Sequence, residues 1–174
     1  MEYAPEEYSR YYIVEALFKL MSVYDYDKIK VTDIVAKAGV GRVTFYRYFK
    51  KKEDVILYYF EHNARGFVLS QKYYPRCKED HVMVATDVFA KFRENVDVFR
   101  LIRKARLEYV YLDYLNKSFA ESFAAEHGDK SPYLPYVYAG MLFNVSMAWL
   151  DEGCLTPPAE LAATVVNAVY GQRA

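Results

Sequence analysis

Cysteine is scarce in this chain of 174 residues, and the two present, Cys77 and Cys154, are too few for a disulfide framework. Cys77, between Arg76 and Lys78, reads as a lone surface thiol. Histidine is also scarce. His62, His81 and His127 show no paired spacing with one another or with the cysteines, so no metal site is expected. The sequence lacks a Gly-rich phosphate loop, a nucleophile elbow and a paired-carboxylate motif. It therefore names no enzymatic reaction and no cofactor. Net charge is missing too: 23 Lys+Arg stand against 23 Asp+Glu, which argues against a protein that coats nucleic acid by bulk charge. The acidic start, Met1 to Tyr8, is followed by no apolar signal-peptide region, so the expected location is cytoplasmic. Ser131–Leu150 runs for 20 residues without a charge, long enough to span a bilayer. Pro132, Pro135, Gly140, Asn144 and Ser146 lie within it, which favours a helix buried in protein and no membrane partner.

What is present is ordinary globular material, 53% hydrophobic and 26% charged, with 19 Tyr and 11 Phe. The zero net charge divides unevenly. Residues 1–27 sum to −4, residues 28–52 to +7 and residues 53–174 to −3. A basic block of 25 residues thus sits inside an otherwise acidic protein. Period-two alternation is nowhere sustained and period 3.6 is common, so the fold class is all-α. The first helix carries a stripe of Ile13, Leu17, Leu20, Met21 and Tyr24, and Asp25–Lys30 breaks it. Short helices follow over Val31–Ala38 and Arg42–Phe49. A further helix begins near Lys52 and runs towards Ser70, with Tyr73-Tyr74-Pro75 as the next break. The remainder reads as helices near 82–95, 97–104, 106–126, 133–152 and 157–171. Thr156 is the expected N-cap of the last, with Pro157 at its first position, and Gly153 stops the one before.

Two short helices joined by a Gly-containing turn make a helix-turn-helix, whose second helix enters the major groove. Phe45 and Phe49 share one face of that second helix and must be core; Val43, Thr44 and Arg47 then point outward. Arg42 and Tyr46 lie on one flank and Tyr48 on the other. Arginine matches the O6/N7 edge of guanine, and Val or Thr can meet a thymine methyl, so Arg42, Val43, Thr44 and Arg47 are the candidate base readers. Tyr46 and Tyr48 can donate to phosphates. Lys50, Lys51 and Lys52 oppose the macrodipole at a helix start that no Ser, Thr or Asp precedes; a phosphate docked there would satisfy the lysines and the free N–H groups together.

The segment Thr32–Glu53 closely resembles the DNA-binding signature of TetR-family transcriptional regulators. Ile34, Ala38, Gly39, Val40, Thr44, Tyr46, Phe49 and Lys52 carry the match. The resemblance implies phosphate contacts at Tyr46 and Lys52, with Thr32 added, and base readers between Arg42 and Arg47. Val35 stands where the family usually has a small Ala, and Gly41 replaces a Ser/Thr cap. Val43 takes an often smaller position, and Tyr48 replaces a frequent His. The implied organisation is an N-terminal helix-turn-helix domain, 1–51, followed by a helical dimerisation and ligand-binding domain, 52–174. The implied function is a sequence-specific transcriptional regulator, a homodimeric repressor on a pseudo-palindromic duplex, released by a small apolar or aromatic effector.

Beyond the signature the residues say less. The charge-free helix Tyr133–Leu150 and its successor suggest a four-helix interface between two copies. Tyr138, Met141, Leu142, Val145, Trp149, Ala162, Val165, Val166 and Val169 are the candidates. Phe89, Phe92, Phe99, Tyr109, Tyr111, Tyr114, Phe119 and Phe123 are either core or the lining of an aromatic pocket. The alternative function is a helical ligand-binding or scaffold protein whose helix-turn-helix no longer reads DNA.

Overall fold

The chain breaks into helices where the turn chemistry demands it. A computed structural model describes residues 5–64, 77–126 and 132–171, with side chains described at 8–62, 77–122 and 132–171. Nine α-helices and no strand occur among these described residues. They are α1 (Pro5–Met21), α2 (Val31–Ala38), α3 (Arg42–Tyr48), α4 (Lys52–Ala64), α5 (Lys78–Glu94), α6 (Val96–Lys104), α7 (Glu108–Glu126), α8 (Leu134–Asp151) and α9 (Pro158–Tyr170). The all-α expectation holds. The Tyr73-Tyr74-Pro75 break and the run of α4 beyond Ala64 lie outside the described residues. No described helix is long and apolar enough to cross a membrane.

Two compact units form. The first holds residues 1–63 and 100–111, and the second holds 64–99 and 112–174. In the first, α1 packs on α2 and α3. Its core is Ile13, Leu17 and Met21 from α1, Ile34 and Val35 from α2, Phe45 and Phe49 at α3, and Val55 and Ile56 from α4. Val35, larger than the Ala usual in TetR regulators, is itself buried and so belongs to this core. Tyr24 departs from the expected stripe: α1 stops at Met21, and Tyr24 is exposed beyond it.

In the second unit α5 lies along α9, whose Pro158, Ala162 and Val166 form a buried stripe at four-residue spacing. Trp149 is fully enclosed, its ring centroid 5.8 Å from that of Phe89 and 6.0 Å from that of Phe92.

Helix ends show which sequence signals are decisive. Gly153, at φ 81°, follows α8, and the Cys154 N–H reaches back to the Trp149 carbonyl at 2.8 Å, the Schellman stop its glycine predicts. The start of α9 is shifted by one residue from expectation. Pro157 is the N-cap with extended backbone and Pro158 is the first helical residue. A residue before proline is driven out of the helical region, so Pro157 could not be helical ahead of Pro158. The Thr156 carbonyl accepts the Trp149 indole N–H at 3.1 Å instead of the threonine capping the helix. α5 begins at Lys78, a turn earlier than periodicity suggests, because Glu79 and Asp80 suit a helix N-terminus. Just past the end of α6, Arg106 takes φ 57° and the Leu107 N–H bonds the Ile102 carbonyl; this is a Schellman geometry without its usual glycine.

Candidate nucleic-acid interface

The two helices of the helix-turn-helix start differently. α2 is capped by Asp33, whose Oδ2 accepts the Lys30 N–H at 2.8 Å. Gly39 ends it at φ 69°, a left-handed conformation that costs an L-residue about 1 kcal/mol or more. Val40 N–H then closes on the Val35 carbonyl at 3.0 Å. Gly41 is extended and, as an N-cap without a side chain, offers α3 only its carbonyl, to the Phe45 N–H at 3.2 Å.

α3 is held to the core through one face. Phe45 is 0% and Phe49 3% exposed, with their rings 5.7 Å apart, and Phe49 meets the Tyr58 ring of α4 at 5.7 Å. The other face looks outward, with Val43 76% exposed, Arg42, Tyr46 and Arg47 exposed, and Thr44 half-buried. The Arg42 guanidinium stands 6.0 Å from the Tyr46 ring centre. The structure therefore brings Arg42, Val43, Thr44, Tyr46 and Arg47 onto one surface. Thr32, exposed in the first turn of α2, sits beside the cap made by Asp33.

Tyr48 is placed differently. It is half-buried, and the Arg10 guanidinium of α1 lies 4.7 Å from its ring centre and 5.7 Å from that of Tyr58. That cation–π arrangement joins α1, the last turn of α3 and α4. No local signal marks Arg10 in the sequence, because its partners lie about forty residues away.

The lysine corner also differs from expectation. Asp54 Oδ2 accepts the N–H groups of Lys50 and Lys51 at 2.8 and 3.0 Å, repeating the Lys30–Asp33 arrangement. These N–H groups therefore have an internal carboxylate and no need of a docked phosphate. The shared Lys-x-x-Asp spacing is the signal for both caps. The Lys50 and Lys51 side chains remain exposed. Lys52 turns inward, donating to the Tyr26 and Ile29 carbonyls, both at 2.8 Å. Burial pulls its ammonium below the ordinary lysine value.

Residues 13–59, from α1 into α4, match the model of the bacterial regulatory proteins of the tetR family. The matched stretch takes in the helix-turn-helix, α2 and α3, and parts of the helices on either side. No curated protein matches the chain. Lin0861 from Listeria innocua is similar in fold across 98% of this chain and 94% of its own, at TM-score 0.81 and 17% identity. A putative TetR-family transcriptional regulator from Syntrophomonas wolfei covers 95% of this chain and 97% of its own, at TM-score 0.64 and 17% identity. The transcriptional regulator FadR from Bacillus subtilis, solved with stearoyl-CoA, covers 91% of this chain and 96% of its own, at TM-score 0.57 and 19% identity. At such identities these likenesses establish the fold, which for this chain is TetR-like along nearly its whole length.

The candidate pocket aromatics fall in both units, Tyr109 and Tyr111 in the first and Phe89, Phe92, Phe99, Tyr114 and Phe119 in the second. Phe89 and Phe92 pack on Trp149, and Phe99 stacks on Phe92 at 3.8 Å, so these three are core. Tyr111 meets Phe60 at 5.1 Å in the first unit, where Tyr109 is exposed. Tyr114 is buried, Phe119 faces Tyr138 at 6.1 Å, and the Phe123 side chain lies outside the described residues. A cleft of about 330 Å³ lies instead in the first unit, between the α1–α2 connection at Tyr24–Lys28 and the end of α6 at Lys104–Arg106.

The nine interface candidates also divide. Trp149, Ala162 and Val166 are buried inside their own chain and have no surface to offer a second copy. Tyr138, Met141, Leu142, Val145 and Val165 are half-buried, and Val169 is exposed. Exposed on α8 instead are Tyr136, Val137, Asn144 and Ala148, with its N-cap Tyr133 exposed beside them; Tyr133 and Val137 are 74% and 62% exposed.

Proposed function

We propose that this protein is a sequence-specific, DNA-binding transcriptional regulator that lays α3 in the major groove. The observation that carries this reading is the division of α3. Phe45 and Phe49 are spent on the core, while Arg42, Val43 and Arg47 stand exposed on a helix fixed from behind. Arg42, Val43, Thr44 and Arg47 read base edges, and Thr32, Tyr46, Lys50 and Lys51 contact phosphates. Tyr48 serves mainly to seat α3 on Arg10.

The regulator acts as a homodimer through the outward face of α8 and the exposed end of α9. The two recognition helices then meet half-sites about one helical turn apart on a pseudo-palindromic operator. It is a repressor, released by a small apolar effector, the class to which the stearoyl chain held by the Bacillus subtilis FadR belongs. The effector acts by changing the separation of the recognition helices, a coupling of typically ~1–3 kcal/mol.

Selection of binders from a pool of random duplexes tests the reading. An enriched palindrome is the expected result. No enrichment would remove the regulator and leave a helical ligand-binding or scaffold protein whose helix-turn-helix no longer reads DNA. Thermal unfolding with a panel of acyl-coenzyme A thioesters tests the effector: a ligand at a hundred times its Kd stabilises by about 2.7 kcal/mol.

A further inference from the structure

The three lysines that open α4 are chemically identical but differ in placement. Lys50 and Lys51 project into solvent beside α3. Lys52 folds back across the domain, and its ammonium donates to the carbonyls of Tyr26 and Ile29 at 2.8 Å each. It also stands 4.0 Å from the centre of the Tyr26 ring. Both carbonyls belong to the connection between α1 and α2, and Ile29 is two residues from the start of α2. The Tyr26 carbonyl already accepts the Ile29 N–H at 3.1 Å, so the ammonium binds a turn that is closed without it.

Tyr26 is a durable seat. Its ring is almost wholly buried, and burial together with the Glu53 carboxylate raises its phenol well above the ordinary value, so the ring stays neutral. An ammonium has three donors. Two are taken by carbonyls and the Tyr26 ring stands beside them, so Lys52 is half-buried where Lys50 and Lys51 are exposed. A phosphate contact would draw Lys52 off groups that hold α4 to the helix-turn-helix.

We propose that Lys52 is a positioning residue: it pins the start of α4 to the α1–α2 connection and so fixes where α3, Lys50 and Lys51 stand. Phosphate contact at this corner belongs to Lys50 and Lys51. The functional half of the proposal rests on the reading of α3 as a DNA-binding helix; the latch itself does not.

The full chain is compared as wild type, Lys52→Met and the double variant Lys50→Ala/Lys51→Ala, each bound to the selected operator over a range of salt. Lys52→Met is expected to bind about tenfold more weakly at every salt concentration, with the slope of log K against log[salt] unchanged. The double variant is expected to flatten that slope by roughly one unit for each lysine removed. A slope flattened by about one unit in Lys52→Met would make Lys52 a phosphate contact and overturn the proposal. Proton NMR of the wild type gives the second reading and needs no folded variant. The Lys52 ε-methylene should be shifted upfield by the Tyr26 ring, and should stay so when duplex is added. An ordinary lysine shift in the free protein removes the latch, and disappearance of the upfield shift in the complex removes the positioning role. If the wild type binds no duplex, the DNA-binding reading fails and the positioning role falls with it. The free-protein shift still decides the latch.

Discussion

α3 and α8 both bury an apolar inner face, yet only one of them declares its orientation in the sequence. α3 alternates chemical types around its circumference. Phenylalanine falls on one side and arginine on the other, and the structure buries Phe45 and Phe49 while exposing Arg42 and Arg47. α8 is apolar on nearly every side. Tyr133 and Val137 face outward with the same chemistry that Ala139 and Leu150 bury. A helix reveals its buried face through contrast in polarity, and α8 has almost none. The proposed functions follow the same division: the exposed side of α3 carries Arg42 and Arg47, polar groups suited to a groove, whereas the exposed side of α8 is largely apolar, the surface proposed to meet a second copy.

Substitutions can break this contrast at several points. The largest effect is expected at the inner face of α3, where Phe45→Ala should destabilise the folded protein by about 3–5 kcal/mol, measured by denaturant unfolding. A change under about 1 kcal/mol would mean that α3 is not held from behind by its aromatic face. Next comes Val137→Asp on α8, which buries an unpaired charge if two copies meet there. Self-association should weaken by about 2–5 kcal/mol in sedimentation, with monomer stability unchanged. An unaltered dimer would move the interface off this face. Arg47→Ala should lose ~1–3 kcal/mol against the operator, concentrated at one base pair in a substitution series. An equal weakening at all sequences would demote Arg47 to a backbone contact. The smallest effect lies away from both faces: Arg106→Gly relieves a left-handed residue at the end of α6 and should stabilise by roughly 0.5–1 kcal/mol. A destabilisation there would show that the arginine side chain is worth more than its backbone strain.

The same principle explains how much can be read in advance. α2 and α3 fall where the sequence places them because Gly39, Gly41 and the Phe45/Phe49 pair punctuate them chemically. The Asp33 and Asp54 caps are written in the Lys-x-x-Asp spacing, but lysines in front of a helix suggest an external anion first. Arg10 on Tyr48 and Lys52 on the Tyr26 carbonyl are not legible, since each pairs residues distant in sequence through exposed-looking cations. Trp149, Ala162 and Val166 look like interface residues because burial within a subunit and burial between subunits select the same side chains. The same ambiguity covers the aromatic series from Phe89 to Phe119, since core and pocket lining draw on the same rings. Helical spacing marks a face, and the faces of α5, α6 and α7 turn to different neighbours.

The central claim is that the protein meets DNA through the outward face of α3 and not through its apolar helices. Amide hydrogen exchange of the full chain, with and without the selected duplex, tests it most directly. New protection is predicted over Arg42–Arg47 and at Lys50 and Lys51, with Tyr133–Ala148 unchanged by DNA. Protection absent from α3, or centred on α8, would contradict it.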